Sequence, residues 1–309
     1  AQTLAETLGY PAGTKLLIVH ADDLGVTHAT NEASIAALEK GTVSSASVMA
    51  NCPWLPEVAE WARDNPGHDL GMHLVLTSEW RKLRWGSVAS SDKVPSLLDE
   101  SGYLKPLCGT MYETAKPEEV ELEIRAQIEK ARSLGLNPTH LDSHMGTLFA
   151  KQDFLERYLK VGMEENIPVM FPGGHNTMIM ETAGQTGLTK EITTQIGQQL
   201  WNAGLPVLDD LHNVSYGWKG EGDVSDEELQ AYKTEKYIKT ISTLQPGLTM
   251  VIMHCTWPTE VFEHISDSGI NRKGDMLAMM DDDFKKFIEE NNIVLTTWRE
   301  AKKRRDALK

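Results

Sequence analysis

Short apolar runs alternate with amphipathic stretches along most of the chain. The clearest run, Leu16-Leu17-Ile18-Val19, passes through His20-Ala21 into Asp22-Asp23-Leu24-Gly25. Apolar residues bounded by turn residues read as a buried strand. Comparable runs occur at residues 42–50, 70–76, 139–143, 168–171, 206–208, 248–253 and 293–297. The segments between them carry helical periodicity, at 31–40, 54–63, 117–134, 153–165, 190–203, 225–244 and 275–290. Gly41 stops the first of these, and Ser225 with Glu228 has the spacing of a capping box. Strands that alternate with helices predict a parallel sheet. Eight such units in 309 residues predict one (β/α) barrel of TIM type, regular or not, over residues 1–309. Residues 77–116 break the rhythm with a loop rich in Ser, Gly, Pro and Lys. Its aromatics Trp80, Trp85, Tyr103 and Tyr112 predict an ordered lid or binding wall, because disordered segments are poor in them.

Composition narrows the classes. A hydrophobic content of 40% suits a globular protein with a large core. A net charge of −15 gains nothing from counterion release, which argues against nucleic acid as a partner. The basic cluster Lys302-Lys303-Arg304-Arg305 ends the last helical segment and complements its dipole. Cys52, Cys108 and Cys255 have no CxxC spacing, so no disulfide framework or structural zinc knot is expected. No apolar run reaches membrane-spanning length. The start Ala1-Gln2-Thr3 suggests an exported protein, periplasmic or secreted, whose signal peptide has been removed, with a cytoplasmic protein as the alternative. A homo-oligomer is left open.

In a barrel the C-terminal strand ends share one mouth. There the pattern places Asp22 and Asp23, His73, then His140, Asp142 and His144, then Asp209 and Asp210, and finally His254. Adjacent carboxylates repel, and a metal ion resolves this by taking one Asp and leaving the other as a base. The competing reading is a helix N-cap. Residues at spacing two share a strand face, which aligns His140, Asp142 and His144. An isolated strand His is ordinarily a satisfied core residue. Three His and several Asp at one end instead point to a hydrolytic metal site. One Asp and two His suit Zn²⁺, and tolerate Mg²⁺ or another divalent ion. Three protein ligands leave a position open for water. Cys255 beside His254 invites a Cys–His nucleophile reading, but strand neighbours point to opposite faces.

The stretches LIVHADDLG, GMH and THLDSH, in that order, resemble the signatures of the YdjC-like carbohydrate deacetylases. These are relatives in mechanism of the NodB-type polysaccharide deacetylases. The resemblance covers residues 15–150, with VIMH at 251–254 beyond it. It implies a metal-dependent hydrolase acting on an acetylated carbohydrate. Asp23, His73 and His144 would be metal ligands, Asp22 the base and His254 the general acid. From their place at the mouth, His140, Asp142 and Asp209 are expected to meet substrate, with a turn cap as the other reading of Asp209, and Trp80 or Trp85 in the overhanging insertion to stack on a sugar. Where the family often has Asn this chain has His20, and His144 is followed by Met145-Gly146-Thr147 in place of further histidines. Two other readings are another barrel metallohydrolase (a phosphoesterase or amidohydrolase) and a non-catalytic carbohydrate-binding barrel. The first usually wants a second metal or a cationic clamp. The second predicts loss of ligands, and none of the three is lost.

Overall fold

In the computed structural model, which describes residues 1–182, 188–220 and 223–308, β1 (Lys15–Leu24) is the centre of an all-parallel sheet. The others are β2 (Ser45–Val48), β3 (Asp69–Leu74), β4 (Leu141–Ser143), β5 (Asp210–His212), β6 (Gly247–His254) and β7 (Ile293–Leu295). Their order is β4-β3-β2-β1-β6-β5, and β7 pairs with the first residues of β1. Isolated parallel bridges, Leu141 to Val169 and Pro172 to Leu208, connect β4 to the segment leading into β5. The sheet thereby curls into an irregular (β/α) barrel.

The runs at 168–171 and 206–208 are both expected to be strands, the second ending in Asp209-Asp210. The first makes only bridges, because Pro168 and Pro172 offer no N–H to a ladder. The second makes a single bridge at Leu208 and precedes β5, which begins at Asp210. The expected helix 275–290 is two helices, Gly269–Met279 and Asp282–Glu290, because Asp281 caps the second by accepting from the Asp283 amide at 2.9 Å.

Strand alternation divides the core. Leu17, Val19 and Ala21 of β1 pack toward the helices, in one large apolar cluster. Leu16 and Ile18 belong to a second cluster with Leu248, Met250 and Ile252 of β6 and with Trp298. Continuing that second face up the strands reaches His20 and Asp22 on β1 and His254 on β6, with Asp22 in register with His254. The barrel interior is therefore apolar below and ionisable above. Gly71 is required on β3: a Cβ there would collide with the ring and carbonyl of His140. The insertion is ordered against the core. Val94, Leu97 and Leu104 are buried, and Trp85 donates its indole N–H to the Thr77 carbonyl at 2.8 Å.

Candidate active site

Two adjacent strand residues ordinarily face opposite ways, yet both aspartates reach the mouth. The pairing of β1 with β2 shifts register between Ala21 and Leu24, and Asp23 has φ 67°. This left-handed residue, of a type that tolerates the conformation, re-aims its side chain at the end of the strand. Gly25, at φ 96°, completes the turn, and its amide donates to Asn31 Oδ1 at 2.6 Å.

Asp23 Oδ1 lies 3.1 Å from His73 Nε2 and 3.3 Å from His144 Nδ1, and these two nitrogens are 3.2 Å apart. The outer nitrogens are engaged by carboxylates. His73 Nδ1 is 2.6 Å from Asp142 Oδ1, and His144 Nε2 is 2.8 Å from Glu79 Oε1. Burial lowers the proton affinity of both rings, but the carboxylates around them outweigh it, raising His73 and taking His144 to about 9; a cation would take the place of the inner protons and meet the lone pairs beneath them. Two imidazole lone pairs and a carboxylate oxygen then converge. Asp23 Oδ1 is buried and accepts no hydrogen bond. Two imidazole nitrogens and a carboxylate oxygen packed this closely can be held by protons or by a metal cation in their place. Zn–N and Zn–O bonds near 2.1 Å in a tetrahedron need donors about 3.4 Å apart, close to the spacing here. The donors fit a divalent metal ion.

The other carboxylate oxygen of Asp23 accepts from Arg272 Nη1 at 2.6 Å. Burial pushes the Asp23 carboxyl up, but Arg272, His144 and His73 outweigh it and hold it well below its usual range. Arg272 comes from the helix Gly269–Met279 and is buried, with Trp80, Tyr216 and Phe262 rings 5.5–5.9 Å from its guanidinium carbon. Its Nε donates to Ser268 Oγ at 2.9 Å.

Asp22 sits between two histidines. Its Oδ2 is 3.5 Å from His254 Nε2, and its Oδ1 is 3.0 Å from His20 Nδ1. The His254 side chain is 17% exposed, against 2% for His73, so it is among the open edges of the cluster. Burial and the Arg272 charge pull its pKa down despite Asp23 and Asp22. Its backbone N–H points to Asp275 Oδ2 at 3.3 Å. Asp275 is in turn held by the buried ammonium of Lys233 at 3.0 Å and by the Tyr237 hydroxyl at 2.6 Å.

Several expected substrate contacts belong elsewhere. Asp209 lies beside Leu248, six residues before His254 and so roughly 20 Å down the strand. Its oxygens accept from the Leu4, Ala5 and Leu248 amides, which fastens the N-terminal helix Leu4–Thr7 to the barrel floor. The strand that carries it begins near Asp209 and does not end there. His140 is fully buried, with its ring stacked on Trp298, and Asp142 is spent on His73, His140 and His20. Neither can meet a sugar. Trp85 is 3% exposed and packs against the His144 ring, so it pins the insertion and offers no stacking face. Trp80 is partly exposed, beside Arg272 and Phe262. Cys255 belongs to the outer apolar cluster, on the other face from His254, and makes no dyad with it.

Glu79, Arg272 and His20 escaped the reading of the sequence. His20 had a signal, since it shares the parity of Asp22 two residues on. Arg272 and Glu79 arrive from a distant helix and from the insertion, where nothing local marks them.

A parallel barrel whose strand ends gather Asp and His side chains around a buried centre is the framework of a barrel hydrolase. The model of the YdjC-like protein family matches residues 16–290, and this chain belongs to that family. It is 30% identical over 296 residues to a carbohydrate deacetylase of Thermus thermophilus, covering 96% of this chain and 97% of that one. It is 27% identical to a carbohydrate deacetylase of Thermoanaerobacter pseudethanolicus, covering 92% and 98%. A crystal structure from Enterococcus faecalis, named for cellobiose-phosphate cleavage, shares the fold at a TM-score of 0.72. It has 23% identity over 92% of this chain and 98% of its own.

Proposed function

We propose that this protein is a divalent-metal-dependent deacetylase that removes an acetyl group from an N-acetylated sugar or oligosaccharide. The observation that carries the reading is the convergence of Asp23 Oδ1, His73 Nε2 and His144 Nδ1 within 3.3 Å, beside an Asp22 left free of the triad. These three residues would hold the ion, with Zn²⁺ favoured by the donor set and Mg²⁺ compatible. A bound divalent ion polarises the acetyl carbonyl and brings the pKa of a water toward neutrality.

The chain's own groups supply the proton transfers. Asp22 takes the proton of the attacking water. Its Oδ2 lies 3.5 Å from His254 Nε2, so that proton can pass to His254 and on to the departing nitrogen. An amine leaves poorly unless protonated, and a histidine with a lowered pKa holds a proton briefly and gives it up readily. Arg272 is committed to Asp23 and buried, so it does not provide the clamp a phosphoester would want. The products are acetate and a free amino sugar.

The test is acetate release from a panel of N-acetylated oligosaccharides. Metal-stripped protein would be compared with protein given back Zn²⁺, Mg²⁺, Mn²⁺ or Co²⁺, with His144→Ala as control. Metal-restored release that the variant abolishes is expected. Tight metal binding with no acetate from any substrate would transfer the protein to another class of metallohydrolase. Failure to bind metal at all would leave a carbohydrate-binding barrel.

A further inference from the structure

We propose that His20 is a positioning residue: it grips the Asp22 carboxylate from within the barrel and ties it, through Asp142, to the ligand His73. His20 is fully buried, with Nδ1 3.0 Å from Asp22 Oδ1 and Nε2 3.2 Å from Asp142 Oδ2. The approach of His20 Nδ1 to Asp22 Oδ1 is an ion-pair contact between two buried atoms, neither of which makes a hydrogen bond. Asp142 turns its other oxygen to His73 Nδ1 at 2.6 Å. A continuous file therefore runs Asp22, His20, Asp142, His73. His140 backs it, with Nε2 3.1 Å from both His20 Nε2 and Asp142 Oδ2. The space for that backing ring exists because Gly71 has no side chain.

The consequence concerns the rotation of one carboxylate. With Oδ1 held below by His20, Oδ2 is the oxygen presented to His254 and the mouth. The base is then fixed in orientation by the same buried carboxylate that orients a ligand imidazole. Burial lowers the affinity of His20 for a proton, but Asp142 and Asp22 outweigh it and raise its pKa to about 9. That fits a charged ring held between two carboxylates.

Two conservative variants separate the two contacts. In His20→Asn the amide nitrogen stands near the place of Nδ1, and in His20→Gln near that of Nε2. The kinetic arm rests on the deacetylase reading. His20→Asn is expected to keep kcat within about 5-fold of the parent, and His20→Gln to lower it by about 10²-fold with KM nearly unchanged, the size of effect that misplacing a catalytic group produces. Both should bind one metal ion per chain, and both should lose thermal stability alike, because each takes a charge from between two buried carboxylates. Equal losses of kcat in the two variants, or a loss in KM alone, would overturn the proposal. So would two ions in the parent and one in the variants, because His20, His140 and Asp142 would then be a second metal site. The independent arm is ¹⁵N-histidine NMR of the resting protein, with the His20 signals identified by their absence from the His20→Asn spectrum. Protons on both ring nitrogens are expected. A bare Nδ1 would sink the proposal even if the substrate proved to be something other than an acetylated sugar.

Discussion

Glu79 shows how much a single residue outside the proposed ligand triad controls. Its carboxylate takes the outer nitrogen of His144 at 2.8 Å, which orients the ring and leaves Nδ1 as the nitrogen a cation would meet. Glu79→Gln should weaken metal binding about 10–100-fold, read by titration of the stripped protein, while kcat at saturating metal changes little. An unchanged affinity would mean that His144 is oriented by packing alone. Arg272 plays the corresponding part for Asp23. Its removal leaves a buried carboxylate without compensation, so Arg272→Ala should destabilise the metal-free protein by about 3–5 kcal/mol in chemical denaturation. A loss below about 1 kcal/mol would show that the pair contributes little once its desolvation is counted.

At the scale of elements, the legible part of the sequence is the part written locally. LIVHADDLG, GMH and THLDSH each lie on one strand and its exit, so period and parity place their residues without knowledge of the rest. The prolines at 168, 172 and 206 were just as visible, yet the length of a ladder depends on the neighbour's N–H groups, and Asp209 was consequently assigned to the wrong end. The left-handed Asp23 could not be foreseen either, because it arises where β1 shifts register against β2. Arg272 is one of 30 basic residues and becomes distinctive only when its helix is laid over the mouth. The Gly71 contact is a test of this level. Gly71→Ala must displace His140 or bend β3, and overpacking of this kind costs roughly 1–3 kcal/mol. Chemical denaturation would show it. Wild-type stability in that variant would mean that the His140 ring has room to move.

For the molecule as a whole, acid sensitivity has an identifiable source away from Asp23, His73 and His144. His212 on β5 is buried against Trp218, and burial lowers its pKa from 6.5 to about 4, with Asp210 opposing. The folded value lies below the unfolded one, so the unfolded chain takes the proton first. Stability from this residue is complete above pH 6.5 and drains away as pH falls toward 4. At pH 5 the loss is about 2 kcal/mol. Replacing His212 by Asn should shrink the difference in unfolding free energy between pH 7.5 and pH 5 by about that amount. An unaltered difference would place the acid sensitivity in other groups.

The bridges at Leu141–Val169 and Pro172–Leu208 carry a consequence for how the molecule breathes. Elsewhere each stave is zipped to its neighbours by runs of backbone bonds, and β1 and β6 share eight registered pairs. Here single bridges stand in for a ladder, which makes this the weakest seam in the ring. Amide protons at Met170 and Gly173, bonded to the Leu141 and Leu208 carbonyls, should exchange with solvent well before those at the centre of β1, through local opening and not global unfolding. The active-site face would then part along a line that leaves the Asp22–His254 register untouched.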